Sequence, residues 1–213
     1  MQCPCRVTGS STIVSKSTGK VNHPLLAPPF RATQGIMNQS LTCIALPAPD
    51  DLRRGVIPAR DAAPTLPAGF MDTLPPADRL FVPPALSHAI GPTACEAVPA
   101  LNAADMGSWH GLSLKALPPA DLARWVGDAS FAPPGGESRD SLLRRAGAWL
   151  AALPATPARM LVLADATTIR ALAIAALGGD GAMMTRLDIA PLTRTVLTRH
   201  ATWRLATSGA PWP

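Results

Sequence analysis

The stretch MLVLADATTIRALAIAALG, Met160 to Gly178, decides the fold. Met160, Leu161, Val162, Leu163 and Ala164 form an unbroken apolar run, the pattern of a strand covered on both faces. Ile169, Leu172, Ala173, Ala176 and Leu177 then recur at helical spacing. Asp165 stands between the two, at the strand's carboxyl end, where open α/β sheets bind their ligands. An aspartate there also suits the cap of the following helix, accepting its first backbone N–H groups, and both readings stay open on the residues alone.

The same strand-then-helix pattern extends outward. LTCIAL, residues 41–46, reads as a first buried strand, followed by a Pro- and Asp-rich loop with short helical pieces to residue 77. Arg79 to Val82 reads as a second strand, Leu86 to Cys95 as a helix interrupted by Gly91-Pro92, and Ala97 to Leu101 as a third strand. Pro118-Pro119 opens a short helix with Leu122, Trp125 and Val126 on one face. In FAPPGGESRDSLLRRAGAWLAAL, Gly135-Gly136 turns the chain and Ser138 caps a helix. Leu142, Leu143, Ala146, Trp149 and Leu150 line that helix opposite an exposed Arg139, Arg144 and Arg145. LTRTVLTRH and ATWRLA close the chain as two antiparallel edge strands turning near His200. The alternation predicts an α/β fold, a three-layer α/β/α sandwich with a mostly parallel sheet and an antiparallel edge.

The formal charge of +5 suggests nucleic-acid binding until it is divided by position. Arg6, Lys16, Lys20 and Arg31 stand in residues 1–36 with no acid, which leaves 15 basic and 14 acidic groups, or +1, for residues 37–213. We therefore expect no nucleic-acid partner. Residues 1–36 are Ser- and Thr-rich without apolar periodicity and read as a disordered leader or an over-extended start, with one domain over 37–213. No run is apolar for long enough to span a bilayer, so no membrane partner is expected. Cys3 and Cys5 are too few for a zinc site, and Cys43 and Cys95 lie in apolar runs as small hydrophobes, which fits a reducing cytoplasm. No metal or cofactor is expected.

Four segments in this order resemble the histidine phosphatase superfamily, the phosphoglycerate-mutase-like fold, and within it the α-ribazole phosphatase type. They are PPGGES (133–138) with the helix containing Trp149, D-x-G-x-W-x-G at Asp105, Gly107, Trp109 and Gly111, the turn into Ile169-Arg170-Ala171, and the tail RLDIAPLTRTVLTRHATWRL. The likeness covers roughly residues 41–206. It implies a phosphoglycerate-mutase-like sandwich and an association with cobalamin nucleotide-loop assembly. It also implies a chemistry in which a histidine in an R-H-G motif attacks phosphorus. Two arginines and a second histidine then hold the phosphoryl oxygens, and an acid protonates the leaving group.

This chain departs from that pattern at each central position. The R-H-G slot falls on Leu46-Pro47-Ala48, the second arginine on His88, the proton donor on Ala103 and the second histidine on Asp165. Pro47 has no nucleophilic atom, and a neutral imidazole is a poor replacement for a bidentate guanidinium. These departures imply a pseudoenzyme that keeps the scaffold for ligand binding or assembly. The alternative is a phosphoric-ester hydrolase remodelled around Asp165, as base or nucleophile, with His88 or His110 as acid. A cleft taking a neutral or cationic ligand is a third reading. Candidate ligand-binding groups are Asp165, His88, Arg53, Arg60 and His110; the partner, a small molecule or a protein, is unknown, and a homodimer is open to it.

Overall fold

The computed structural model describes residues 39–60, 62, 65–91 and 95–212; the expected leader over 1–36 lies outside them. Six strands, β1 (Gln39–Ala45), β2 (Arg79–Val82), β3 (Glu96–Ala97), β4 (Arg159–Ala164), β5 (Thr193–Arg199) and β6 (Trp203–Pro211), form one sheet in the order β3-β2-β4-β1-β5-β6. β4 runs parallel to β1 and β2, and β2 parallel to β3, whereas β5 pairs antiparallel with β1 and β6 with β5. The expected parallel sheet with an antiparallel side is thus present, with β6 as its edge and β5 inside it.

Strand alternation divides the core in two. Leu41, Cys43 and Ala45 of β1, Met160, Val162 and Ala164 of β4 and Leu197 of β5 face the two long helices, α4 (Arg139–Ala152) and α5 (Ala166–Ala176). These helices present Leu142, Ala146 and Leu150, and Ile169, Leu172 and Ala173. Each side chain so buried contributes about 1.5–3 kcal/mol when large and apolar, which makes this face the main source of stability. Burial pushes the Cys43 thiol up to about 12, so it packs as an inert hydrophobe. The other face carries Ile44, Leu46, Val82, Leu161 and Leu163 beneath Phe70 and Leu86, the latter from the seven-residue α2 (Pro84–Ile90). A third cluster joins Ile57, Trp109 and Leu117 to Leu122 and Trp125 of α3 (Pro119–Gly127).

Local signals place several element ends. The Ser138 hydroxyl accepts the Ser141 N–H at 3.1 Å to cap α4, as its sequence suggests. Gly178 takes φ +69° after α5, a left-handed end that suits glycine.

Other expectations are corrected. α2 stops at Ile90, because Gly91 takes φ +103° before Pro92, so Cys95 lies outside any helix. The third strand is only two residues, since Pro99 starts a 3-10 turn over Pro99–Leu101 instead of extending the ladder. Val126 is 59% exposed, leaving Leu122 and Trp125 to pack α3. Arg139 and Arg145 are half-buried, with Arg139 donating to the Val126 carbonyl, whereas Arg144 is exposed. Among the described residues no helix is long and apolar enough to cross a membrane.

Candidate functional site

Parallel pairing brings the ends of β1 and β4 side by side, with Ala45 opposite Ala164 and the Leu46 N–H donating to the Ala164 carbonyl at 2.8 Å. Leu46-Pro47 and Asp165 are therefore neighbours at the carboxyl edge of the sheet. Leu46 turns inward and is 5% exposed in the core beneath α2. Pro47 lines an open cleft of about 440 Å³ with Ala48, Pro49, Asp50, Asp51, Leu66 and Pro67 among its walls. The short α1 (Asp50–Arg53) starts at this wall.

Asp165 is the N-cap of α5. One carboxylate oxygen, Oδ1, accepts the Thr167 and Thr168 N–H groups at 2.8 and 3.2 Å, and Oδ2 meets the Thr168 hydroxyl. That hydroxyl also lies 3.0 Å from the Asn102 carbonyl, so the loop carrying Ala103 abuts the cap. Asp165 therefore meets the helix-capping reading of its sequence, with both carboxylate oxygens engaged by its own first turn.

The remaining candidates are spread more widely. His88 is exposed in the last turn of α2, and Ala103 is exposed in the loop after the Pro99–Leu101 turn. Arg53 faces Asp50 across one turn at 3.6 Å, with both side chains largely in water. Arg60 donates to Asp105 Oδ2. His110 Nδ1 lies 2.8 Å from the Pro58 carbonyl, and Nε2 lies 3.1 Å from both the Met106 N–H and Asp105 Oδ1. Both ring nitrogens therefore meet polar partners within the protein, Nδ1 at the Pro58 carbonyl and Nε2 between the Met106 N–H and the Asp105 carboxylate. Arg60, Asp105 and His110 thus form one cluster that ties the 55–60 segment to the 105–112 loop. The Gly107 N–H first, and then Arg60 and His110, hold the Asp105 carboxyl below the usual carboxylate range.

Two motifs visible in the sequence meet face to face here. Asp105 Oδ1 accepts the Gly107 N–H at 2.8 Å, the Ser108 N–H donates to the Pro134 carbonyl at 2.9 Å, and the Glu137 N–H donates to the Asp105 carbonyl at 2.7 Å. Gly107 takes φ +54°, and a Cβ on it would lie 2.2 Å from the Pro134 carbonyl oxygen; one on Gly136 would lie 2.5 Å from that of Asp105. D-x-G and PPGGES are therefore two halves of one backbone clamp.

Sequence reasoning missed the group that anchors this clamp to the 100–103 loop. Arg145 aims Nε and one terminal nitrogen at the two Glu137 carboxylate oxygens, at 3.0 and 2.7 Å, and the other at the Ala100 and Asn102 carbonyls, at 2.7 and 3.1 Å. A fifth, longer contact of 3.5 Å reaches the Ala103 carbonyl. All five guanidinium N–H groups have an oxygen to meet. The available signal was an arginine directly before Ala146 on the apolar stripe, eight residues after the glutamate of PPGGES. Arg170 likewise donates to Asp188 and the Met184 carbonyl. Among the described residues no group of three or more His, Cys, Asp or Glu is placed to hold a metal ion.

Known proteins share this architecture. The α-ribazole phosphatase from Shigella flexneri superposes with a TM-score of 0.63 at 15% identity, over 82% of this chain and 99% of its own. A mycobacterial glucosyl-3-phosphoglycerate phosphatase gives 0.61 at 21%, over the same shares, and a phosphoserine phosphatase variant from Entamoeba histolytica gives 0.63 at 13%, over 80% and 96%. At such identities the likeness is one of fold. No curated protein matches the chain in sequence. Residues 85–208, more than half of the chain, match the family description "Histidine phosphatase superfamily (branch 1)". With the sheet order and the paired motifs above, that match makes the chain a member of the histidine phosphatase superfamily.

Proposed function

We propose that the chain is a pseudoenzyme of its superfamily, a scaffold or ligand-binding protein without phosphomonoesterase activity. The observation that carries this reading is the end of β1, where Leu46 is buried in the core and Pro47 lines the cleft; the resemblance puts the family's nucleophilic histidine at Pro47. Proline has no atom able to attack phosphorus. Stabilising a transferring phosphoryl group also needs cationic donors aimed at its oxygens. The arginines nearest in sequence, Arg53, Arg54 and Arg60, each pair with a carboxylate of the protein, Asp50, Asp51 and Asp105 respectively. Asp165 adds negative charge at the strand ends beside Leu46-Pro47, and unit like charges about 4 Å apart repel by about 4 kcal/mol at an effective dielectric of about 20, which disfavours a phosphate there.

A hydrolase remodelled around Asp165 has less support, because Oδ1 already accepts the Thr167 and Thr168 N–H groups and Oδ2 the Thr168 hydroxyl. The vacated cleft instead favours a neutral or cationic ligand over a phosphate ester. The test is a panel of phosphomonoesters that includes p-nitrophenyl phosphate and α-ribazole phosphate. Turnover is expected to equal that of a heat-killed control, and an activity that disappears in Asp165→Ala would refute the reading. A combined variant carrying Leu46→Arg, Pro47→His, His88→Arg, Ala103→Glu and Asp165→His checks the assignment of positions. It should regain binding of inorganic phosphate if it folds with a wild-type circular dichroism spectrum.

A further inference from the structure

Among the described residues the cover over the second sheet face ends at β1. Phe70 and Leu86 lie over Ile44, Leu46, Leu161 and Leu163, whereas the helix that packs on β5 and β6 is α5, on the opposite face. Register defines what the open half displays, because directly paired residues share a side. Ser40 pairs with Thr198, which pairs with Arg204; Thr42 pairs with Val196, which pairs with Thr207; Ile44 pairs with Arg194, which pairs with Ala210. Apart from the buried Ile44, these residues are half-buried or exposed. Beside β1 the face deepens into a groove of about 270 Å³ between Ser40 and Thr42 and the Pro75-Pro76-Ala77 segment.

Its charge is one-sided. Arg53, Arg54, Arg60, Arg79, Arg145, Arg159 and Arg170 each find a carboxylate within the protein. Arg194 and Arg204 are exposed on this face, and among the described residues neither pairs with an acid; Arg194 lies over the Trp212 ring, 5.9 Å from its centroid. The two arginines are four residues apart in register and one strand apart, about 14 Å by strand geometry. Side chains four residues apart in an extended chain lie on one side at about 13 Å, so two carboxylates on such a chain match them.

We propose that this face docks an extended acidic segment of a partner protein, with Arg194 and Arg204 binding its carboxylates and the Ser40, Thr42, Thr198 and Thr207 hydroxyls meeting its backbone. Single-stranded nucleic acid fits less well, because such sites stack bases on successive aromatic rings and, among the described residues, this face has only Trp212 at its rim. The proposal stands whether or not the cleft hydrolyses phosphate esters.

The probe is a fluorescein-labelled decapeptide alternating threonine with glutamate, followed by anisotropy against the full chain. Its neutral counterpart with glutamine and an oligothymidylate serve as comparisons. The acidic peptide should bind, and more weakly as salt rises. Arg194→Glu with Arg204→Glu should weaken it about tenfold or more, since two exposed pairs are lost and inverted. Arg144→Glu, on the exposed side of α4, should bind as wild type. Both variants change exposed residues, and their thermal melts should match the wild type. No binding of the acidic peptide, equal binding by the double variant, or tighter arginine-dependent binding of oligothymidylate would each overturn the proposal.

Discussion

Replacing Arg145 by methionine should unfold the chain earlier by about 6–12 °C. The guanidinium makes a two-point pair with Glu137, in which the arginine and glutamate side chains are 24% and 15% exposed, and it also caps the Ala100 and Asn102 carbonyls. Methionine keeps an unbranched apolar stem, so the loss is the polar head alone. Hydrogen bonds to charged groups contribute about 1.5–3 kcal/mol each, and breaking a buried pair leaves its partner uncompensated. Water reaches Asn102 and Ala103 and recovers part of this, so about 3 kcal/mol remains. For a domain of this size that corresponds to about 2–4 °C per kcal/mol. The assay is thermal and urea unfolding of Arg145→Met, Glu137→Gln and the double variant, with amide exchange to follow residues 99–105. The cycle should return a coupling of about 1–3 kcal/mol. Arg145→Lys should recover little, since an ammonium has three donors on a point charge instead of a five-donor fork. Arg144→Met, which loses one contact to Ser141, should change stability by no more than about 0.5 kcal/mol. An Arg145→Met protein as stable as Arg144→Met, or a coupling near zero, would refute the assignment of this residue as the anchor of the 100–103 loop.

Two further outcomes follow from the clamp between the motifs. Gly107→Ala forces a Cβ to 2.2 Å from the Pro134 carbonyl oxygen at a positive φ, so the loops must separate and stability should fall by more than about 3 kcal/mol; Gly135→Ala, at φ +70° with open space around it, should lose only the conformational term of about 1–2 kcal/mol. Similar denaturation midpoints for the two would count against the clamp. The Asp105 carboxyl is depressed in the folded state, first by the Gly107 N–H and then by Arg60 and His110. Its contribution is thus complete above the unfolded carboxylate pKa of about 4 and is lost as pH falls through the lower folded value. Tryptophan-monitored unfolding should show a steeper acid loss in the wild type than in Asp105→Asn, and parallel curves would contradict that.

The fold was largely legible because its signals are local. The apolar run 160–164 is β4 and Ile169 to Ala176 lies in α5, whereas Leu177, read with that stripe, is the C-cap and 51% exposed; Ser138 caps α4. Misreadings came where two local preferences compete. Ala97 to Leu101 has strand-like composition, but Pro99 cannot donate to a ladder and bends the chain into a 3-10 turn. Arg139 and Arg145 are charged beside an apolar stripe, which suggests solvent exposure. Arg145 is half-buried because its aliphatic stem packs inward and its head finds Glu137 and three carbonyls supplied by other segments.

The candidate site divides in the same way. That Pro47 lacks a nucleophile and that Asp165 follows a buried strand are matters of residue identity and order along the chain. Which oxygens of Asp165 are already taken, whether Arg60 is solvated or held by Asp105, and where His110 directs its two nitrogens depend on groups tens of residues away. Periodicity, capping and turn chemistry act over a few residues, so the chain's order settles its elements and names the residues at the strand ends. Hydrogen bonds and ion pairs act only across a few ångströms of space, so only the folded neighbourhood settles Arg145's five partner oxygens, the Asp105 cluster, and the arginine-bearing face of β5 and β6.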